Sequence, residues 1–572
     1  MRESVAAQEP TAESSVPPYS WYALSVLVLV YVLNFIDRQI LSILANDIKA
    51  DLGVDDGYLG FLYGTAFAIF YALFGIPLGK LADSWKRVRL MTLGLALWSA
   101  MTAASGFARD ATTLTVARIG VGVGEATASP SAYSLISDWF PARLRATALA
   151  IYSSGIYIGG GVSLLIGGAI VDQWNSAFPD GGALGLAGWQ VAFIAVGLPG
   201  LLLAVWVLTL KEPIRGAIDG LEAPENPKPF QGFVTELFTV IPGFTFFGAA
   251  QRGMAALAVN IAVFFVAMIA AVGLTHVLGS GAGAIVLGVG ASLGADLPAV
   301  TDQWLLLALG YYAVFCWASA LRVRDYPTFA LTWGSPAFLC TILGYGTVAF
   351  MAYSASYWGA PYAERVFTLT IGVSGGCARD PIDMMMIGCE LSKGELGFWL
   401  GGGGALGGFL GVILGGRMAD YLFIRTSGGR IWVILFGLVT PVPFAVVQYT
   451  TPSFALFSIL NVVVGALAAS ALGAAAASSQ ALVLPRMRGT ATATFFLATT
   501  LVGLALGPYT AGYVSALNKG DLSAGVLSTL WITPLGLVLL IGALRLVPAA
   551  NASVIERARA AGEADPAATV GV

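Results

Sequence analysis

Four ionisable side chains stand in stretches that are otherwise mostly apolar and small: Asp37 and Arg38 in one, Arg118 and Glu125 in another. A charge at membrane depth costs roughly 2.5–3.5 kcal/mol on insertion scales, so such groups persist where they face a cavity or one another. Arg118 and Glu125 are seven residues apart and on a helix would share one face, with a rise of about 10 Å between them. That gap is too wide for a direct pair. It leaves room for Asp37 or Arg38 between them, and Gly122 on the same face permits close approach. Burial favours the neutral form of a carboxyl group, and a nearby guanidinium favours the ionised form. A carboxylate poised between the two can carry a coupling proton, and the guanidinium can hold an anion. The plainer alternative is an ion network that only ties two helices together.

A second set of polar side chains suits a head group: Tyr152, Ser153, Ser154 and Tyr157. The second half of the chain offers Tyr353, Tyr357, Asn461, Gln480, Phe495 and Phe496. No charge falls in the centres of the segments that carry these six. If both halves line one cavity, one wall is charged and the other apolar and aromatic. An amphiphile fits such a cavity, with an anionic or zwitterionic head toward Arg38 and Arg118. The alternative is that the aromatics face lipid.

The elements that must position these groups are membrane-spanning helices. Of 572 residues, 57% are hydrophobic and 11% charged, with 71 Gly, whereas a soluble chain carries roughly 25% charged residues. Lys plus Arg is 29 against 32 Asp plus Glu, so no basic excess exists to track nucleic-acid phosphates. Spans of about 20 apolar residues read at about 21–45, 57–79, 88–107, 111–137, 145–171 and 189–209, then at 332–356, 398–416, 430–449, 453–484, 488–516 and 525–546. Two more runs, at 254–275 and 303–321, lie between these sets, giving fourteen spans as six, two, six. Lys80, Lys86, Arg87, Arg89, Arg143, Arg145, Lys211, Arg215, Arg417, Arg425, Arg430, Arg486 and Arg488 fall in alternate loops, while 172–188 and 276–302 hold no Lys or Arg. The positive-inside rule then places both termini in the cytoplasm. The acidic, Pro- and Ser-containing first twenty residues lack the basic start of a signal peptide.

Gly79-Lys80-Leu81-Ala82-Asp83 recurs as Gly416-Arg417-Met418-Ala419-Asp420, and Arg145-Ala146-Thr147-Ala148 recurs loosely as Arg488-Gly489-Thr490-Ala491. Parallel repeats about the membrane normal imply alternating access to a site near the midplane. A carboxylate at a helix end can latch the N-terminus of a neighbouring helix, so Asp83, Arg87, Arg145 and Asp420 are expected to gate, with ordinary topology-setting charge as the alternative for the basic residues.

Gly79 to Arg87 resembles the loop signature of the major facilitator superfamily. Within it, Asn34-Phe35-Ile36-Asp37-Arg38, Arg118 to Ala126, Ser129-Pro130-Ser131-Ala132 and Gly507-Pro508 resemble the spinster lysolipid and sphingolipid transporters. Organic-anion/proton symporters share the Asn-x-x-Asp-Arg and Gly-x-Gly-Glu-Ala elements. The resemblance covers about 20–215 and 332–546 and implies proton-carrying roles for Asp37 and Glu125. The expected fold is an all-α polytopic membrane protein of the major facilitator type. Its parts are a tail at 1–20, a six-helix bundle at 21–215, a linker with two inserted helices at 216–330, a second bundle at 331–546 and a tail at 547–572.

Gly401–Gly404 and neighbouring glycines read as close helix packing rather than a nucleotide loop, since no strand precedes them. Gly503-x-x-x-Gly507-Pro508 reads as a bend point. Cys377 and Cys389 fall in one non-cytoplasmic loop where a disulfide is one outcome; Cys316 and Cys340 lie in spans, and the single His276 reads as a surface group. One His and four Cys supply neither a metal set nor a nucleophile with its base. The expectation is therefore no enzyme and no cofactor, but a monomeric proton-coupled carrier of amphipathic lipids in a bacterial inner membrane. A small organic-anion symporter or drug efflux carrier is the alternative.

Overall fold

The computed structural model describes residues 16–564 apart from 179–181, 183–184, 220–226, 279–300, 369–377, 380–385 and 388–390. Cys377 and Cys389 lie outside the described residues. In chain order the first half holds α1 (Pro18–Leu52), α2 (Asp56–Tyr63), α3 (Thr65–Ser84), α4 (Arg87–Ser105), α5 (Ala111–Glu125), α6 (Ala128–Trp139), α7 (Ala142–Ser153), α8 (Gly155–Ala177) and α9 (Gly188–Leu208). The insert holds α10 (Pro229–Val240), α11 (Phe244–Gln251), α12 (Met254–Leu278), α13 (Asp302–Arg324) and α14 (Tyr326–Leu331). The second half holds α15 (Pro336–Ala363), α16 (Lys393–Arg425), α17 (Gly429–Val439), α18 (Pro441–Gln448), α19 (Phe454–Ala481), α20 (Arg488–Ala498), α21 (Gly507–Leu517), α22 (Leu522–Ser528) and α23 (Thr533–Ala552), with α24 (Val554–Ala560) after it.

Among the described residues, thirteen helical spans are long and apolar enough to cross a membrane. The fourteenth expected span, 111–137, is two shorter helices, α5 and α6, separated at Ala126–Thr127. Pro130 stands one turn beyond the break and has no N–H for the carbonyl of Ala126, so the ladder is interrupted there. The expected bend near Gly503–Pro508 takes the form of a π-helical segment, Thr499–Leu504, before α21 starts at Gly507. Several spans run past the sequence-based ends: α1 extends to Leu52, and α16 continues from Lys393 to Arg425, so the repeated Gly416–Asp420 motif lies inside it. Local chemistry sets many starts. Asp55 accepts from the Tyr58 amide at 2.7 Å to cap α2, and Ser392 with Glu395 forms a capping box for α16.

The two faces of the bundle differ. One, here the basic face, carries Lys80, Lys86, Arg89, Arg425 and Arg488 at or near its helix ends; the far face carries the α1–α2 and α15–α16 ends. The halves meet along two seams. Gly60 brings α2 against α21, where a Cβ would lie 2.5 Å from the Pro508 carbonyl oxygen, and Gly64 meets the π-helical segment before it, 2.7 Å from the Leu504 oxygen. On the other side α8 lies on α16 with backbones in contact, and a Cβ at Gly161 would lie 2.6 Å from the Gly401 oxygen. This seam runs from Gly168 against Lys393 at the far face to Tyr157 against Gly408 near mid-membrane. Of the glycines expected to pack helices, Gly161, Gly168, Gly401 and Gly408 do so here, whereas Gly160, Gly402 and Gly416 face open space.

The seam makes neighbouring glycines unequal. A Cβ at Gly401 would collide with the Gly161 backbone, whereas one at Gly402 meets nothing within 4 Å. Gly401→Ala should destabilise the protein by about 1–3 kcal/mol through overpacking and so lower its thermal midpoint. Gly402→Ala should be neutral or stabilising by up to about 1 kcal/mol through helix propensity. Melting curves of the two variants in the same detergent check this; equal effects would show that the seam does not constrain α16.

Candidate functional site

The ionic cluster forms where α1 passes the end of α5. Arg38 Nε donates to Glu125 Oε2 at 2.5 Å. Arg118 Nη1 donates to the backbone carbonyl of Asp37 at 3.0 Å. So the gap between Arg118 and Glu125 is filled by α1, with Arg38 taking the carboxylate and Arg118 the main chain. Asn34 faces the Glu125 carboxyl group, and Trp98 and Thr102 of α4 face that of Asp37. Asp37, Arg118 and Glu125 are all buried. The Arg38 side chain keeps 15% exposure against 0% for Glu125, so the pair is approachable only from its cationic side.

Three rings box that guanidinium: Phe35 at 5.1 Å, Phe67 at 4.7 Å and Tyr71 at 4.6 Å from the Arg38 Cζ. Such cation–π contacts hold the charge without neutralising it. The sequence reading missed Phe67 and Tyr71; their signal is the i, i+4 spacing on α3, which gives them one face. A Cβ at Gly122 would lie 2.7 Å from the Phe67 carbonyl oxygen, so α3 and α5 touch only because residue 122 is glycine.

The second half reaches this cluster through α15. Tyr353 faces Arg38, and Tyr357 stacks on Tyr63 with ring centroids 4.0 Å apart. Tyr152 is fully buried and stacks on Tyr31 at 4.3 Å, while Ser153 faces Tyr133. Tyr157 packs against Gly408 in the α8–α16 seam. Gln480 is not brought to the cluster: it lies one residue before the basic-face end of α19 and donates to Thr492 at 3.3 Å. Asn461 donates to the Leu400 carbonyl at 3.2 Å and ties α19 to α16.

The expected gating residues divide in the same way. Asp83 and Asp420 are exposed at the basic face. Arg87 does not face the other half. It is buried, donating to Glu212 at 2.8 Å, to the Ser134 hydroxyl at 2.9 Å and to Asp138, which knots α4, α6 and the chain after α9. Arg145 donates to the Ser137 carbonyl at 2.8 Å across the α6–α7 turn.

The far face holds a polar latch absent from the sequence reading. Asp56, at the start of α2 and fully buried, accepts from Arg365 Nη2 at 2.7 Å, Arg365 Nη1 at 2.8 Å, Lys49 at 2.8 Å and the Ser515 hydroxyl at 2.8 Å. Arg365 Nε donates to Asn46 at 2.8 Å, and Asn46 donates to Glu364 at 2.8 Å. Lys393 bridges Asp47 and Glu364. Asp172 accepts from the Lys393 and Gly394 amides at 3.2 and 2.7 Å, placing a carboxylate of one half on a helix N-terminus of the other. Gln39 and Ser42 add bonds to the carbonyls of Ser356 and Tyr357 on α15.

Two helical bundles in parallel repeat, fastened at one face over a buried ionic cluster, make a membrane carrier fold. A model of the Major Facilitator Superfamily matches residues 27–378, and the chain belongs to that superfamily. It is 25% identical to an MFS-type efflux pump of Mycolicibacterium smegmatis over 533 residues, 93% of this chain and 92% of that one. It is 28% identical to Protein spinster of Drosophila melanogaster over 211 residues, 37% of this chain and 33% of that one. A crystal structure of a bacterial homolog of the human lysosomal transporter Spinster, inward-facing and unoccupied, superposes with a TM-score of 0.62 at 24% identity over 95% of this chain and 99% of that one. The protein is thus a transporter of the major facilitator type, with a partial likeness to the spinster proteins.

The latch yields a prediction. Asp56→Asn removes the charge shared by Lys49 and Arg365 and should shift the population toward a state open at the far face. In a cysteine-free background, Ser354→Cys, buried beneath the latch, should react at least several-fold faster with a membrane-impermeant maleimide added at the far face when Asp56→Asn is present. An unchanged rate would make the latch a static brace.

Proposed function

We propose that the protein is a proton-coupled carrier of amphipathic anions, such as lysophospholipids or sphingolipid-like molecules, working by alternating access. The basic face is read as cytoplasmic, with both termini there, in the inner membrane of a bacterium, and the working unit as a monomer. The parts are the two bundles at 21–215 and 331–546 and the insert at 216–330 between them.

One observation carries this reading: Arg38 bonds the buried Glu125 on one side and is reachable, among three aromatic rings, on the other. An anionic head group arriving at the open side competes with Glu125 for the guanidinium. Losing that partner in a buried setting favours protonation of Glu125. Substrate and proton are then coupled through one arginine. Arg118, buried and bonded to the Asp37 carbonyl, supports the position of α1 and lies behind the head group. On α15, the half-buried Tyr353 offers an amphipathic surface to the less polar part of the molecule, with the buried Tyr357 behind it against Tyr63. Fastening at the far face with Asp83 exposed at the other supports a state open toward the basic face. Asp83 would engage the second half when that face closes.

The full-length likeness to an efflux pump favours a second reading, export of apolar or cationic drugs. The two differ in what Arg38 does. For a lipid anion, Arg38→Ala should weaken equilibrium binding by tenfold or more, because the charge-assisted partner is gone; for a cationic drug it should not.

Glu125→Gln tests the coupling itself. The variant should bind substrate and exchange it across liposomes, yet fail to accumulate it under a pH gradient. Gradient-driven uptake beside binding in the same preparations is the measurement, with lysolipids, sugar acids and cationic dyes as competitors. Accumulation equal to the parent's would make Glu125 structural and pass the role to Asp37.

A further inference from the structure

The stretch 227–253 was expected to be linker, yet it folds into an elbow. α10 and α11 meet at 101°, and the bend sits on Gly243, whose φ of +93° disfavours other residues. One side of α10 rests on the basic-face end of α3: the Ser84 hydroxyl donates to the Pro229 carbonyl at 2.7 Å, and the Phe230 and Trp85 rings lie 5.3 Å apart. A second tie runs to α13, where Arg324 grips Glu236 through two bonds of 2.8 and 3.1 Å and Thr245 bonds Tyr312 at 2.8 Å. The elbow is therefore fixed to α3 and α13.

Its other side is uncovered. Val234 is 44% exposed, Phe244 51% and Phe247 64%, and Phe230, at the edge of the contact with Trp85, keeps 48%. These large apolar side chains occur on both arms of the bend. Chain continuity says what lies beside them: α12 begins three residues after α11 ends, and only 11% of its most apolar stretch is buried within the protein, so its surface is lipid-facing. The elbow then reaches from the level where α12 begins into the apolar layer, where Phe246 packs against Phe264, ten residues into α12, and against Tyr312 of α13. Exposed Lys80, Lys86 and Arg89 stand on and around the α3–α4 corner next to it. Exposed aromatics beside exposed cations match an anionic lipid surface, which takes rings at the acyl boundary and cations at the head groups.

We infer that α10 and α11 form a docking surface for the anionic lipids of the leaflet at the basic face, and that this docking holds the end of α3 that carries Asp83. The inference does not depend on which substrate is carried. It makes lipid composition a regulator of the basic-face gate: anionic lipid steadies α3, and its removal frees the Asp83 turn.

The test uses the full chain in nanodiscs of phosphatidylcholine with and without phosphatidylglycerol. Spin labels at Phe244→Cys and Phe247→Cys, in a cysteine-free background, report collisions with oxygen and with a water-soluble nickel chelate. Oxygen-dominated collisions, shifted several-fold further toward oxygen by phosphatidylglycerol, are expected. Nickel-dominated collisions at both sites would overturn the proposal, as would strong dipolar coupling between labels on two copies, which would assign the surface to self-association. The link to α3 has its own readout. Phosphatidylglycerol should change maleimide labelling of Asp83→Cys at least twofold in the parent and not in a Phe244→Ser/Phe247→Ser variant that stays monodisperse. An equal response in both would sever the elbow from the gate.

Discussion

A guanidinium and a carboxylate in an apolar interior are tolerable together and costly apart, because removing one partner leaves the other charged and desolvated. Arg38 and Glu125 impose that condition on the first half. One belongs to α1 and the other ends α5, so the two helices hold a fixed register wherever the pair is intact. Arg118 adds a second tie to the Asp37 carbonyl, one residue away. Around this point the backbone adapts: α5 stops at Glu125, the chain turns, and α6 restarts before Pro130. Gly122 lets α3 approach closely enough for Phe67 and Tyr71 to box the guanidinium. The same constraint that organises the bundle makes the site responsive, since anything that takes Arg38 away from Glu125 changes the charge the interior will accept.

The contacts between halves are of two physical kinds. The glycine seams bring backbone against backbone, as where Gly161 meets Gly401, and Tyr157 enters the α8–α16 seam only where Gly408 leaves room for its ring. The far-face latch is polar and lies at helix ends, where water can replace each bond as it opens. Asp172 on the first turn of α16 is a carboxylate set against a helix dipole. The sequence reading assigned that device to Asp83 at the basic face; the structure displays it at the opposite one, with Asp83 exposed.

The insert adds a third kind of contact. α13 packs along α3, with Gly310 against Ile69, and Trp304 at its far-face end meets Tyr509 of α21. Asn260 on α12 bonds Tyr312 on α13, a polar link that joins the hairpin to itself. Cys316 is buried beside it, in keeping with a packing role. A segment that reads as two extra spans thus leans on the seam between α3 and α21 while α12 faces outward.

Hydropathy alone fixes which stretches enter a membrane, because each spanning helix must supply its own apolar surface and satisfy its own backbone. The duplicated Gly79–Asp83 and Gly416–Asp420 motifs make two related halves visible, and the charges at 37, 38, 118 and 125 stand out because the surrounding residues cannot solvate them. What the sequence leaves open is pairing. Helical spacing showed that Arg118 and Glu125 could not meet, yet not whether Asp37 or Arg38 would come between them. Asp56 follows Asp55 at a helix start, where acids are ordinary caps, and its partner Arg365 is 309 residues away. Gln480 looked like a cavity residue until its height along α19 placed it at the basic face. Local energetics act over one or two turns and leave a periodic trace in the sequence. Ion pairs between helices depend on the rotation and tilt of both, which only the packed bundle determines.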